Sequence, residues 1–275
     1  MVAGPSLGGL LYTYTGFSLP FCSLGLSMVI SGLLVAVFCS CKKQNSENTC
    51  SECSWKDILV CSGIPDYILA LLTIGNVNNW FSASLEQHLY TAFGLVPAES
   101  GGIMMIFALL YSLTSPVVGV LLDYGFSTSK LLILGGVSSS LACFLLGPIP
   151  GFELLLETVP VCVVSLVLIG AGVASASLCG YLGMLDCARR IGSSEDILNK
   201  ITCIWLMTLY LGGFLSVIFG GISADVYGFS CSSTIQGCIT VIVTIWISCR
   251  AFYRQMFNTS SAEKDDQLET GEPFL

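Results

Sequence analysis

The chain has 275 residues, of which 54% are hydrophobic and 10% charged. Soluble domains carry roughly 25% charged residues, distributed over every amphipathic element, so this composition excludes an ordinary soluble fold. The net charge of −8 excludes nucleic acid as a partner, because such binding needs a basic face.

Taken in chain order, apolar stretches of the length that crosses a bilayer core of roughly 30 Å recur between short charged clusters. They predict an all-α, polytopic membrane protein of about eight transmembrane helices, near 1–13, 19–41, 65–87, 100–122, 131–150, 158–183, 201–224 and 229–252. Trp55-Lys56-Asp57-Ile58-Leu59 reads as an interfacial stretch before the third span. Pro65 suits a first helical position, and Asp66 suits the positive end of that helix dipole. Asp66 is therefore read as a helix-start residue, with a functional intramembrane acid as the other reading. The run Glu263, Asp265, Asp266, Glu269 and Glu272 marks 255–275 as a disordered acidic tail.

With these spans, loops alternate between two sides. All ten Lys and Arg fall on one side, in 42–64, 123–130, 184–200 and the tail. The other side carries Glu99, Glu153, Glu157, Asp225 and the single histidine, His88, with no Lys or Arg. The positive-inside rule makes the basic side, tail included, cytosolic. The chain contains 14 cysteines, and most lie inside apolar runs, where a free Cys acts as a small hydrophobe. Cys50-Ser51-Glu52-Cys53 has no second pair at zinc spacing, so no metal site is expected. Cys39 and Cys41 stand where a helix meets a basic loop, a position open to palmitoylation.

An internal repeat is visible. Gly8-Gly9-Leu10-Leu11-Tyr12-Thr13-Tyr14-Thr15-Gly16-Phe17-Ser18 recurs as Gly220-Gly221-Ile222-Ser223-Ala224-Asp225-Val226-Tyr227-Gly228-Phe229-Ser230, and Gly25 and Gly237 follow at matching register. Six spans separate the copies, and a six-helix unit repeated in parallel is the architecture of the major facilitator superfamily. The register carries the start of span 1 upstream of Met1. The chain is accordingly expected to lack that start and four earlier helices.

Motifs sharpen the resemblance. Gly4-Pro5-Ser6-Leu7-Gly8-Gly9 is similar to the antiporter motif of facilitator helix five. Gly119-Val120-Leu121-Leu122-Asp123-Tyr124-Gly125, with Lys130 beyond, is similar to the loop motif between helices eight and nine. With Ser115-Pro116-Val117-Val118-Gly119 and Gly180-Tyr181-Leu182, the chain resembles the vesicular amine and polyamine transporters (solute carrier family 18), most closely the polyamine-type branch. The resemblance implies helices 5–12 of a twelve-helix fold. Residues 1–41 would be the remnant of the N-terminal half, 42–64 a cytosolic linker and 65–254 the C-terminal six-helix half. It also implies a lock at Asp123 that holds the inward-closed state through basic partners, and a role for Gly4 and Pro5 in keeping a proton path closed. A local kink is the other reading of Gly4 and Pro5. Five positions depart from the family. Its helix-seven acid and proline fall on Ser82 and Ala83, its acids of helices ten and eleven on Gly172 and Leu206, and Tyr124 replaces an arginine.

The third span is the most polar, with Asn76, Asn78, Asn79, Trp80, Ser82, Ser84, Glu86 and Gln87. Asn76, Asn79, Trp80 and Ser82 are the candidate substrate-binding residues, because intramembrane polar groups face a cavity or another helix and Trp80 can stack on an organic cation. Interhelical hydrogen bonding, with Trp80 as a belt aromatic, is the competing reading. Gly172, Ala176 and Gly180, and then Gly212, Ser216, Gly220 and Ala224, form small-residue ladders for close helix contact. No catalytic pattern is present, so an enzyme is not expected, nor a cofactor. The expected function is alternating-access transport of a small organic solute, cationic or polyamine-like, with protons as a coupling partner, in a vesicle or plasma membrane. The alternative is a truncated, non-transporting membrane protein that pairs with a missing N-terminal half or with a full-length transporter.

Overall fold

The computed structural model describes residues 4–38, 55–61, 63–147, 158–190, 192 and 195–270, with side chains as far as Met256 except those of Pro5, Ser6 and Thr15. Lys42, Lys43 and the cysteines at 39, 41, 50 and 53 lie outside the described residues, as does most of the 42–64 linker.

Among the described residues the chain forms helices only: α1 (Gly4–Thr15), α2 (Ser18–Phe38), α3 (Trp55–Val60), α4 (Ile64–Phe93), α5 (Pro97–Asp123), α6 (Thr128–Leu146), α7 (Val159–Arg189), α8 (Glu195–Tyr227) and α9 (Phe229–Thr270). Six of these are long and apolar enough to cross a membrane, namely α2, α5, α6, α7, α8 and α9 as far as Met256. The chain is an all-α, polytopic membrane protein. Two of the eight expected spans fall short of that standard. Helix α1 has 12 residues, too few for a core of roughly 30 Å. Helix α4 has 30 residues, but its asparagines, Glu86 and Gln87 dilute its apolar character. The backbone of α9 is helical to Thr270, into the stretch read from the sequence as a disordered tail.

Local chemistry sets the helix ends. Pro65 and Asp66 open α4, and Gly94, at φ +66°, closes it by donating its N–H to the last carbonyls. At the start of α5 Pro97 takes the first position, and the Glu99 carboxylate accepts the Val96 N–H at 3.2 Å. The repeat reappears as geometry. Gly16 and Gly228 both adopt positive φ, +74° and +83°, a region open to glycine at no steric cost. Each donates its N–H to the residue four before it, Tyr12 at 2.9 Å and Ala224 at 3.0 Å. The α1–α2 and α8–α9 corners are thus one structure used twice.

Helices α4, α6, α7 and α9 enclose the main apolar core, which includes Leu85, Ala142, Leu166 and Ile169. The small-residue ladders lie at its seams. Gly172 and Ala176 of α7 meet Gly135 of α6, Gly180 meets Leu71 of α4, Gly212 of α8 meets the backbone of α4 at Leu72, and Gly220 meets Trp80. These contacts are backbone-close packing of the kind that membrane helices use. A second cluster seats Ile58 of α3 among Ile64, Leu71, Met184, Ala188 and Ile201, which explains the amphipathic stretch before α4. Helix α2 has no buried residue.

Asp66 does more than start a helix. It is buried, and it accepts hydrogen bonds from Arg250 Nε at 3.3 and 3.4 Å and from Arg254. This ion triad fastens the first turn of α4 to α9.

Candidate functional site

A cavity of about 790 Å³ lies where α1 and α2 face α4, α5, α7 and α8. Helix α4 supplies one continuous strip of its wall, Gly75, Asn78, Asn79, Ser82 and Glu86. These positions share one face of a helix with 3.6 residues per turn. A second part of the wall is aromatic and thioether: Met104, Phe107 and Tyr111 of α5, with Phe81 of α4 against Phe107 at 4.9 Å between ring centroids. Tyr111 and Ser177 of α7 are hydrogen-bonded at 3.3 Å. Trp205 and Tyr210 of α8, Tyr12 of α1 and Phe21 of α2 complete the ring of aromatics.

Polar groups on the α4 strip are held in place by their own helix. Asn79 Nδ2 donates to the Gly75 carbonyl at 2.9 Å, and Ser82 Oγ donates to the Asn78 carbonyl at 2.9 Å. The Asn79 Oδ1 and the lone pairs of the Ser82 hydroxyl, which donates its one proton to Asn78, are acceptors available to a donor. Among the described residues that line the cavity, Glu86 is the one that carries a charge.

Of the four residues chosen from sequence, Asn79 and Ser82 line the cavity, whereas Asn76 and Trp80 do not. Trp80 is fully buried. Its indole N–H donates to Ser232 Oγ at 2.9 Å, Ser232 is hydrogen-bonded to Ser223 at 2.6 Å, and the ring stacks on Phe229 at 5.5 Å. No face of that ring is offered to a solute. Asn76 packs against α8 at Gly212. The physical reason is phase: at 3.6 residues per turn, position 76 sits roughly a third of a turn and position 80 nearly half a turn from the centre of the 78–82–86 strip. Glu86, Asn78, Tyr111, Ser177 and Trp205 were not among the sequence candidates. The one-turn spacing from the chosen Ser82 was the signal available for two of them, Asn78 and Glu86. His88, beyond the cavity, stacks on Phe229 at 3.9 Å with an interplanar angle of 10°.

The motif residues divide in the same way. Gly8 and Gly9 line the cavity, and a Cβ on Gly9 would meet the Pro97 carbonyl oxygen at 2.5 Å. That contact brings α1 against the start of α5. Gly4 and Gly119 have open space around them, and Pro5 stands in the first turn of α1. Asp123 ends α5 and is exposed, as is Lys130 in the first turn of α6. Gly125 between them holds φ +87°. Among the described residues no ion pair joins Asp123 or Lys130. Of the positions where the family's acids fall, Ser82 and Leu206 face the cavity, while Gly172 is buried between α6 and α7.

A sequence profile described as Major Facilitator Superfamily matches residues 1–192. The chain belongs to the Major Facilitator Superfamily. Within the superfamily it is similar to the MFS-type transporter SLC18B1 of three mammals. It is 26% identical to the rat protein over 245 residues, covering 88% of this chain and 53% of that one. The mouse protein is 26% identical over 273 residues, covering 98% and 58%, and the human protein 26% identical over 247 residues, covering 86% and 52%. The chain spans about half the length of the curated relatives it matches. Facilitator substrate sites lie between the two repeats; the cavity described above is lined by α1 and α2 together with α4, α5, α7 and α8.

Proposed function

We propose that this chain carries the substrate wall of a transporter for a small organic cation, polyamine-like in character, working by alternating access. In this reading residues 1–41 correspond to helices five and six, 42–64 to the linker between halves, and 65–254 to helices seven to twelve. The observation that carries it is Glu86. A single carboxylate stands at the end of a strip of amides and a hydroxyl, in a cavity that aromatic side chains also line. A cation gains from the carboxylate and from the quadrupoles of the rings, whereas an anion would meet Glu86 with nothing to offset the repulsion. The similarity to MFS-type transporters supports the transport part of this reading. Exchange with protons, a vesicular or plasma-membrane location and a cytosolic tail belong to this proposal.

The test is uptake into vesicles carrying the chain, using labelled spermidine, a neutral polyol of matched length and a dicarboxylate. Saturable uptake of the cation alone is expected. Equal uptake of the polyol would overturn the cation reading.

The bare α2 favours a second reading, in which the chain pairs with other transporter helices and does not transport by itself. That reading predicts no uptake by the chain alone and altered uptake when it is co-expressed with a full-length transporter.

A further inference from the structure

Away from the cavity, Cys61 stands in the turn between α3 and α4, and Cys187 stands in the last turn of α7. Both are free thiols. The Cys61 Sγ–H donates to the Cys187 carbonyl oxygen at 3.7 Å, across 126 positions of sequence. The turn is tight: Cys61 N–H donates to Ile58 and Ile64 N–H to Cys61, each at 3.2 Å. Gly63 closes it at φ +114°, a conformation that favours glycine. That glycine is pressed onto the second thiol, because a Cβ there would lie 2.8 Å from Cys187 Sγ. Each sulfur therefore rests against the backbone of the other's segment. Ile58, Ile64, Met184 and Ala188, all buried, hold the two segments in this register.

We propose that Cys61 and Cys187 form an oxidative modification site, a thiol pair that hydrogen peroxide converts to a disulfide. Cys61 is half-buried and Cys187 is buried, so Cys61 reacts first and Cys187 resolves. The Cys61 thiolate attacks one peroxide oxygen, the O–O bond breaks, and Cys61 sulfenic acid forms with release of water. The Cys187 thiol then attacks the sulfenic sulfur, the S–O bond breaks, and a second water leaves with the thiol proton. Two thiols lose two electrons in all, and one peroxide becomes two waters. A disulfide needs Cα atoms about 4.4–6.8 Å apart; the Cys61 thiol already reaches the Cys187 carbonyl and the Cys187 thiol already meets Gly63, two positions from Cys61, so both sulfurs lie between the same two stretches of backbone. The bond would fasten the connection between α2 and α4 to the end of α7. If this basic end faces the cytosol, as proposed above, the pair is reduced at rest and closes under oxidative load. The chemistry itself does not depend on that orientation.

The experiment uses membranes containing the full chain, treated with hydrogen peroxide, blocked with N-ethylmaleimide, digested and analysed by mass spectrometry without reductant. The expected product is a Cys61–Cys187 linked peptide, two hydrogens lighter than the two thiol peptides and released by dithiothreitol. In Cys187→Ser, with an unchanged melting midpoint, Cys61 should proceed to the sulfinic acid. Linkage of Cys61 to Cys50, Cys53 or any other cysteine would overturn the proposal, as would full oxidation of Cys61 without linkage, or a Cys61 that peroxide leaves untouched. Protection from an impermeant thiol reagent in sealed vesicles reports the orientation separately.

Discussion

Single residues on α4 have different duties according to which side of the helix they occupy. Trp80 is a structural anchor. Trp80→Phe keeps the stack on Phe229 and loses the hydrogen bond to Ser232, so it should cost about 1 kcal/mol of stability and leave solute affinity within about twofold. A melting curve and a binding isotherm on the same preparation check both statements. A large loss of affinity at unchanged stability would place Trp80 back in the site. Asp123 is the opposite case, exposed and unpaired among the described residues. Asp123→Asn should leave stability within about 0.5 kcal/mol, as surface substitutions do. It should lower uptake if the motif biases a conformational equilibrium. Normal uptake at normal abundance would reduce Asp123 to a solvated helix end. Residue types were legible in the sequence, since the polar character of α4 already points to a site. The phase of the helix was not. A period says which residues share a face, but only the positions of α5, α7 and α8 say which face meets the cavity.

At the scale of elements, the basic end of the bundle is fastened by Asp66. Its partners lie 184 and 188 positions away, a pairing that no local pattern announces, and for this reason the sequence shows only a helix-start acid. Exposed ion pairs are worth about 0–1 kcal/mol. Here the carboxylate side chain is 11% exposed and serves two arginines. Asp66→Asn should therefore destabilise by more than a surface pair, and combining Asp66→Arg with Arg254→Asp should recover part of the loss. Thermal unfolding of the three proteins tests this, and equal midpoints would show that the triad contributes nothing measurable. The small-residue ladders, by contrast, were fully legible. A glycine or alanine every fourth residue has one physical use in an apolar helix, close approach, and Gly172, Gly180, Gly212 and Gly220 are each pressed against a neighbour.

At the scale of the whole molecule, hydropathy located the helices but undercounted the tolerance of the fold for polarity. Helix α4 misses the composition of a membrane span because it forms the wall of a cavity, and α8 covers much of its remaining surface. The one-sided distribution of Lys and Arg predicts topology. The sequon at Asn258-Thr259-Ser260 should stay unglycosylated in a glycosylating membrane, while a sequon introduced into 151–157 should be modified. The reverse pattern would invert the orientation. The central claim is that the cavity reads positive charge through Glu86, and binding of labelled spermidine to the chain in lipid nanodiscs tests it most directly. Glu86→Gln should weaken binding about tenfold or more at an unchanged melting midpoint, Glu86→Asp should retain part of the affinity, and a neutral polyol of matched length should not compete. Equal affinity in the wild-type chain and Glu86→Gln, or effective competition by the polyol, would contradict the account.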